Sequence, residues 1–273
     1  MSQKNTIYDL TDATFIIPLR IDSQDRLRNV ITSLCYLYSN FITNVFVREV
    51  SEDPIFGSHA LPQIRDFCGE DFVILDYEHV KTDSPVFHRQ KIINEMLDRV
   101  QTKVTVNYDC DILLPLKSYR DSVQLILDGD ADVVYPYGDG MYQKQVFADD
   151  ELVSEFLNNN FDFEVFEGKS RYFDAKYGFA QFFNTESYME GGGENENFVA
   201  YAPEDVERHY RFKTLGYKIS RLDSLVYHLE HSRTPNSWFT NPYRQANEAE
   251  WIKVSKMNKE QLEQYIKQSS FFK

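Results

Sequence analysis

Two carboxylates, Asp109 and Asp111, stand two positions apart directly after residues 103–108, a short segment that is predicted to be a strand. Ligands of open α/β sheets bind outside the carboxyl ends of the strands. Carboxylate oxygens at such an edge can serve Mg²⁺ or Mn²⁺. The same spacing recurs within residues 128–132, but there it precedes a strand and is more typical of a turn. Asp109 and Asp111 are therefore the candidate cation site.

A pair of histidines, His228 and His231, forms the second candidate site. Residues three apart point to opposite faces of a strand, whereas on a helical turn or a bend they converge. Two converging neutral imidazoles could bind one metal ion. A packed or surface pair of histidines beside Tyr227 is the alternative, and the spacing leaves both interpretations open.

Glu204 and Asp205 begin a predicted helix and follow Tyr201. Carboxylates in the first turn of a helix are stabilised by the helix dipole, so they could simply cap it. A carboxylate here could equally serve as a general base. The glycine run at 191–193, just upstream, predicts a flexible loop that is either a lid or a surface turn.

Strands alternate with helices along most of the chain, which predicts an α/β domain with a mostly parallel sheet. The strands are predicted at 14–19, 44–48, 71–75, 103–108, 131–136, 178–184 and 217–222, and the helices at 26–39, 87–100, 118–127 and 204–215. Residues 138–176 show no clear pattern. In the tail, Asn258 and Gln261 have the spacing of a capping box and predict a helix.

The composition is that of a globular protein, with 29 basic and 43 acidic residues in 273 and a net charge of −14. This balance argues against a non-specific binder of nucleic acid or anionic membranes. No apolar run approaches the roughly 18 residues of a transmembrane segment. The cysteines, Cys35, Cys68 and Cys110, are too few and too scattered for a disulfide framework. We expect a soluble, cytoplasmic protein.

Taken in order, these segments resemble the β-1,4-galactosyltransferase family and its bacterial relatives. The neighbouring families in this resemblance are the chondroitin-synthase-type and polypeptide N-acetylgalactosaminyltransferase folds. The matching segments are 16–20 (Ile-Ile-Pro-Leu-Arg), 87–94 (Phe-His-Arg-Gln-Lys-Ile-Ile-Asn), 109–115 (Asp-Cys-Asp-Ile-Leu-Leu-Pro), 202–206 (Ala-Pro-Glu-Asp-Val) and 228–233 (His-Leu-Glu-His-Ser-Arg). The match runs from about residue 14 to 235, with a long insertion between residues 48 and 87. Each motif is modest, but five motifs in the same order are fairly specific together.

The resemblance implies a GT-A fold, the fold of nucleotide-diphospho-sugar transferases. It divides the chain into a transferase domain at 1–235, with a donor half at about 14–136 and an acceptor half at about 137–235, and a C-terminal helical extension at 236–273. The implied activity is the inverting, metal-dependent transfer of a hexose or N-acetylhexosamine of galactose type. The donor would be a UDP-sugar, the acceptor a sugar hydroxyl of a surface glycan, and the cofactor Mn²⁺ or Mg²⁺.

The resemblance also assigns roles to individual residues. The implied metal ligands are Asp111, His228 and His231. The implied donor-binding residues are Pro18 and Arg20 at the diphosphate, Phe87 and Arg89 at the uracil, and Asp109 at the ribose. Asp205 falls on the catalytic base, Glu204 on a sugar contact, and Tyr201 on the tryptophan that covers the sugar.

The chain departs from the family pattern at three places. Asp22 stands where the family often has a second arginine, and Ala202-Pro203 replaces a glycine pair, which stiffens the approach to Asp205. His228 replaces a methionine, so we expect a metal choice broader than Mn²⁺.

Two other functions fit parts of the pattern. A nucleotidyltransferase would usually show a glycine-rich phosphate loop with a lysine near the first strand, and residues 16–20 contain neither. A non-catalytic glycan- or nucleotide-binding domain would keep the fold without the chemistry. Loss of Asp205 or of a metal ligand would signal that case, and all of these residues are present.

Overall fold

A computed structural model describes residues 7–69, 75–238 and 240–269. The strands are β1 (Tyr8–Leu19), β2 (Phe41–Ser51), β3 (Leu75–Lys81), β4 (Val104–Tyr108), β5 (Ile112–Leu113), β6 (Val133–Tyr135), β7 (Gln143–Val146), β8 (Ser170–Tyr172), β9 (Ala180–Asn184), β10 (Ile219–Arg221) and β11 (Val226–Leu229). The helices are α1 (Gln24–Asn40), α2 (Leu61–Cys68), α3 (Arg89–Leu97), α4 (Leu116–Leu127), α5 (Asp150–Asn158), α6 (Thr185–Glu190), α7 (Glu204–Leu215), α8 (Arg244–Val254) and α9 (Lys259–Gln268). Short 3₁₀ or π turns cover Phe56–Ala60, Gly140–Tyr142, Phe163–Phe166 and Pro235–Ser237.

The central sheet has the order β10-β6-β9-β4-β1-β2-β3. Its neighbours are parallel except around β9, which runs antiparallel to β4 and β6. The register pairs Tyr108 with Ala180, so β9 begins beside the end of β4. The predicted α/β class with a mostly parallel central sheet is thus confirmed. The carboxyl ends of β10, β6, β4 and β1 share one edge with the beginning of β9.

Buried strands and an amphipathic helix form the core around β1. Residues 13–17 of β1 are buried without alternation, as expected for a strand covered on both faces. Helix α1 buries Val30, Leu34 and Leu37, whose spacing of four and three places them on one helical face. This packing holds the carboxyl end of β1 in place next to β4.

A second, smaller sheet has the order β5-β11-β7-β8. Strand β11 pairs antiparallel with β5 and parallel with β7. The sequence pattern missed this sheet, because strands of two to four residues carry too few alternations to be recognised. The unassigned stretch 138–176 holds β7, α5 and β8.

The C-terminal helices pack against α7. The capping box of Asn258 and Gln261 is present at the start of α9, as predicted, whereas α8 was missed. Tyr210 of α7 donates its hydroxyl to the Met257 carbonyl at 2.8 Å and meets the Trp251 ring edge-on. The limits of the donor half, the acceptor half and the extension stay predictions.

Several predicted elements have shifted boundaries. The second strand extends to both sides of the predicted 44–48, and the helix predicted at 87–100 is confined to α3. Of the strand predicted at 71–75, all but Leu75 lies outside the described residues. Among the helices of the described part of the chain, none has the length and apolarity needed to cross a membrane.

Candidate active site

The small sheet brings the histidine pair to Asp111. His228 lies in β11 opposite Ile112 of β5, and Leu229 donates its backbone N–H to the Asp111 carbonyl at 2.8 Å. His231 lies two residues beyond the end of β11. Of the two geometries that the sequence allowed, the chain therefore adopts the bend, and both imidazoles converge on one carboxylate.

The three side chains form a compact set of possible metal ligands. Nε2 of His231 lies 3.1 Å and Nε2 of His228 lies 3.8 Å from Oδ2 of Asp111. One ligand atom of each residue lies within 4.8 Å of the others. Both histidine side chains are at least 93% buried, being 7% and 5% exposed, so solvent contributes little to this site.

A hydrogen bond orients His231, and ring packing orients His228. Nδ1–H of His231 donates to the Ser232 carbonyl at 2.7 Å, so Nε2 faces Asp111, to which it donates when the ring is protonated and toward which it is a possible metal ligand when the ring is neutral. His228 is stacked on Phe173, with ring centroids 5.6 Å apart, and it also contacts Phe179. Burial lowers the pKa of His228 to about 4, so this ring is neutral at pH 7.

Two buried polar atoms of this set, Oδ1 of Asp111 and Nδ1 of His228, have no hydrogen-bond partner in the described residues. Burial raises the pKa of Asp111, but His228 and the hydrogen bond from His231 outweigh it and hold the pKa well below its usual range. An ionised carboxylate with two imidazoles is a donor set that suits a divalent transition ion such as Mn²⁺. The residues present therefore fit a metal.

Asp25 holds the residue that follows His231 in place. Asp25, at the start of α1, accepts from the Ser232 backbone N–H at 2.6 Å and from the Ser232 hydroxyl. Burial raises the pKa of Asp25, but hydrogen bonds from Ser23 and Ser232 lower it to about 2. The carboxylate thus stays ionised and ties the bend after β11 to α1. Sequence reasoning missed this residue.

Asp109 lies beside the metal set in a cluster of charged groups. Its Oδ1 accepts from Arg89 at 2.7 Å, and the same guanidinium nitrogen reaches Oδ1 of Asn107 at 3.0 Å. Burial, together with the charges of Asp111 and Asp205, raises the pKa of Asp109 to about 6 against the opposing effect of Arg89. Arg89 is therefore positioned among carboxylates, and its implied contact with the uracil stays a prediction.

Asp205 lies in the first turn of α7, but it does not cap the helix. The residue at the N-cap is Pro203, which has no side-chain cap, and Oδ1 of Asp205 accepts from Arg208. A Cβ atom at Gly178 would lie 3.2 Å from Oδ2 of Asp205, so glycine lets the chain before β9 approach this oxygen. Burial and the charge of Asp205 raise the pKa of Glu204 well above its usual range.

Arg208 belongs to a buried ion pair that sequence reasoning missed. It donates to both carboxylate oxygens of Glu194 at 2.7 Å and to Gln181 at 2.9 Å, and both charged side chains are 1% exposed. Glu194 also accepts from the Tyr188 hydroxyl. The available signal was an arginine three residues after Asp205, on the same face of α7.

The glycine run at 191–193 is buried and is hydrogen-bonded to a side chain of α7. Residues 191–195 are buried, and Arg211 donates to the carbonyls of Gly191 and Gly193. Asn94 exchanges two hydrogen bonds with the backbone of Glu194, at 2.8 and 2.9 Å. Of the two interpretations that the sequence left open, the burial of residues 191–195 contradicts the surface turn, and the lid stays a prediction. Tyr201, further along, is 46% exposed.

Arg20 and Phe87 lie at the other end of the same edge. Arg20 donates to the Val50 carbonyl at 2.7 Å and to carbonyls of residues 84–86 at 3.0–3.4 Å, and its guanidinium covers the Phe87 ring at 5.4 Å. Pro18, two residues earlier, pairs with Arg48 in the register of β1 and β2. Arg20 is thus committed to the backbone of the 84–86 loop, and its implied diphosphate contact stays a prediction.

No family model and no curated protein matches this chain. Among solved structures, TarS residues 1–349 from S. aureus, in complex with UDP-GlcNAc, align with a TM-score of 0.56 and 12% identity over 93% of this chain and 70% of that one. The mannosyltransferase PcManGT from Pyrobaculum calidifontis, in complex with GDP-Man and Mn²⁺, aligns with a TM-score of 0.50 and 14% identity over 80% of this chain. This chain spans 56% of the mannosyltransferase.

The catalytic domain of Drosophila β1,4-galactosyltransferase 7, in complex with xylobiose, is more distant, with a TM-score of 0.44 and 12% identity over 82% of this chain and 72% of that one. At these identities the likeness to TarS and the mannosyltransferase concerns the fold. The chain therefore has the mixed α/β, GT-A-like fold of glycosyltransferases.

Proposed function

We propose that this protein is a metal-dependent, inverting glycosyltransferase that moves a hexose or N-acetylhexosamine from a UDP-sugar to an acceptor hydroxyl in the synthesis of a surface glycan. The observation that carries the proposal is the convergence of Asp111, His228 and His231 next to Asp109, at the sheet edge where Asp205 also lies. The GT-A-like fold supports it, since the solved relatives with that fold were complexed with nucleotide sugars.

The three ligands would hold Mn²⁺ or Mg²⁺, which would neutralise charge on the leaving diphosphate as a Lewis acid. Asp205 takes the proton of the acceptor hydroxyl through Oδ2, while Arg208 holds Oδ1. The acceptor oxygen forms its bond to the anomeric carbon as the bond to the diphosphate oxygen breaks, and its electron pair leaves with UDP. Attack from the face opposite the leaving group inverts the anomeric configuration.

Metal-dependent binding of UDP is the first expected result. Loss of an outer-shell partner already costs about 10- to 100-fold in metal affinity, so loss of a ligand in His231→Ala should cost more. We expect calorimetric titration of UDP into metal-stripped protein to show binding in the presence of Mn²⁺. His231→Ala should lose the UDP binding that depends on Mn²⁺.

His59→Ala is the matched control, because His59 is exposed and lies outside the site. It should bind UDP as the wild type does. Failure to bind UDP with Mn²⁺, Mg²⁺ or Co²⁺ would contradict the transferase proposal and favour a non-catalytic domain.

The choice of metal should depend on His228. Imidazole nitrogen is a harder ligand than a methionine thioether, so we expect turnover with Co²⁺ and Mg²⁺ as well as with Mn²⁺. His228→Met should support turnover with fewer of these metals. The measurement is the rate of UDP release from the UDP-sugar with each metal. Strict dependence of the wild type on Mn²⁺ would show that the histidine does not broaden the choice.

A further inference from the structure

A cavity of about 400 Å³ lies along β10, the outermost strand of the central sheet, against one face of α7. It is lined by polar and aromatic side chains that include Tyr135, His209, Lys213, Tyr217 and Arg221. Tyr135 and Arg221 are register partners at the ends of their parallel strands. The cavity therefore follows β10 from Tyr217, which precedes the strand, to Arg221 at its carboxyl end, and at Arg221 it reaches the edge of the sheet where the candidate active site lies.

Asp205 lies close to this cavity. His209 follows Asp205 by four residues on α7, about one helical turn, and the Tyr177 ring stacks on His209 with centroids 4.1 Å apart. Gly178, next to Tyr177, is the residue that approaches Oδ2 of Asp205. Strands β9 and β10 are two strand spacings apart, which is about 10 Å. One extended acceptor could reach both places.

The cavity carries positive charge in a chain whose net charge is −14. In the described ranges, neither Lys213 nor Arg221 has a carboxylate within ion-pair distance. Arg221 covers the Tyr135 ring at 4.5 Å and donates to two backbone carbonyls. Lys176, nearby, is paired with Asp139 at 3.2 Å, so its charge is offset.

His209 is sensitive to the charges around this cavity. Burial and the charges of Lys213, Arg221, Lys176 and Arg208 lower the pKa of His209 to about 4. Its Nδ1 has no hydrogen-bond partner in the described residues. The side chains on neighbouring elements are the rings of Tyr135 and Tyr177, while the carboxylates of Asp132 and Glu190 lie toward Tyr217. A bound anion would be felt directly by the His209 ring.

We propose that this cavity binds an anionic group, a carboxylate or a phosphate, carried by the acceptor close to the hydroxyl that is glycosylated. Arg221 offers its charge and the N–H donors that its two backbone carbonyls leave over, and Lys213 adds a second cation. The rings of Tyr135 and Tyr177 provide flat faces for the neighbouring sugar or polyol. This inference rests on the proposed function and narrows its acceptor to one that carries a carboxylate or a phosphate.

The test uses glucuronate and glycerol 3-phosphate as probes, with glucose and glycerol as their neutral counterparts. The full chain is titrated with each compound, and the pKa of His209 is followed by NMR of its ring, assigned with His209→Gln. We expect both anions to raise this pKa, because a bound anion stabilises the imidazolium. The anion that binds more tightly distinguishes a carboxylate from a phosphate acceptor.

Variants of the two cations separate this site from general charge effects. Arg221→Gln should lower the affinity for the anion by about tenfold or more, as expected for a charge-assisted hydrogen bond. Since Arg221 also holds two backbone carbonyls, Lys213→Gln provides the milder variant, with an expected loss of about 2- to 5-fold. Lys117→Gln, an exposed helical lysine on α4, should bind like the wild type.

The outcomes distinguish the two proposals. If the pKa of His209 does not change with either anion, or changes equally with the neutral compounds, the anion site is overturned even if UDP binds. An unchanged affinity in both Lys213→Gln and Arg221→Gln would also overturn it. If the anions bind but UDP does not, the transferase proposal fails, and the acceptor assignment fails with it.

Discussion

Asp205→Asn should lower turnover of the UDP-sugar by about 10²- to 10⁴-fold, the usual contribution of a correctly placed general base. Asparagine keeps the oxygen that accepts from Arg208, so the fold and the position of the side chain should persist. It cannot take the proton of the attacking hydroxyl. The loss should therefore appear in kcat, while UDP affinity measured by calorimetry stays unchanged.

Glu204→Gln is the matched control for this variant. Burial raises the pKa of Glu204 well above its usual range, which favours the neutral acid form of its side chain and disfavours a role as base. Glutamine resembles that neutral acid, and we expect a much smaller loss of kcat than in Asp205→Asn. If Asp205→Asn keeps near-normal turnover, or if Glu204→Gln loses more kcat than Asp205→Asn, Asp205 is not the base.

Arg208→Met should destabilise the protein by about 3–5 kcal/mol, because it leaves the carboxylate of Glu194 buried without its ionic partner. Glu194 is 1% exposed, and in the wild type Arg208 donates to both of its oxygens. The midpoint of urea denaturation, measured at an unchanged m-value, gives the change in free energy of unfolding. The variant should also lose turnover, since Arg208 holds Oδ1 of Asp205.

Two comparisons make this prediction specific. Arg99→Met removes an arginine whose side chain is 47% exposed and paired at the surface, so it should cost at most about 1 kcal/mol. In the double variant Arg208→Met/Glu194→Gln the buried charge is gone, and stability should recover part of the loss. Equal costs for Arg208→Met and Arg99→Met would show that the buried pair does not support the fold.

The sequence was sufficient to predict the α/β architecture and the place of the first carboxylates. Alternation of strands and amphipathic helices is a local property: β1, buried on both faces, leaves an apolar run at 15–19, and the valines and tyrosine of β4 are typical of a strand. Asp109 and Asp111 follow such a strand, so their position at the carboxyl edge needed no further information. The start of α7 at Glu204 could also be predicted, because a helix start is a local pattern.

The metal set was chosen by the tertiary structure. On spacing alone, His228 and His231 could have been a packed or surface pair, and the resemblance rather than the periodicity selected them. Pairing of β5 with β11 brings them to Asp111, and these strands are too short to leave a pattern. Their pairing depends on contacts between distant parts of the chain, which local periodicity does not record.

The buried charges show the same division between local and long-range information. Glycines at 191–193 predict a flexible loop when only their own conformational freedom is considered. In the fold this segment is buried, because Arg208 and Arg211 from α7 satisfy the Glu194 carboxylate and the glycine carbonyls. The sequence by itself determined the elements and the edge where chemistry can occur. Only the tertiary structure decided which side chains meet there, because burial stabilises charged groups only when distant partners neutralise them.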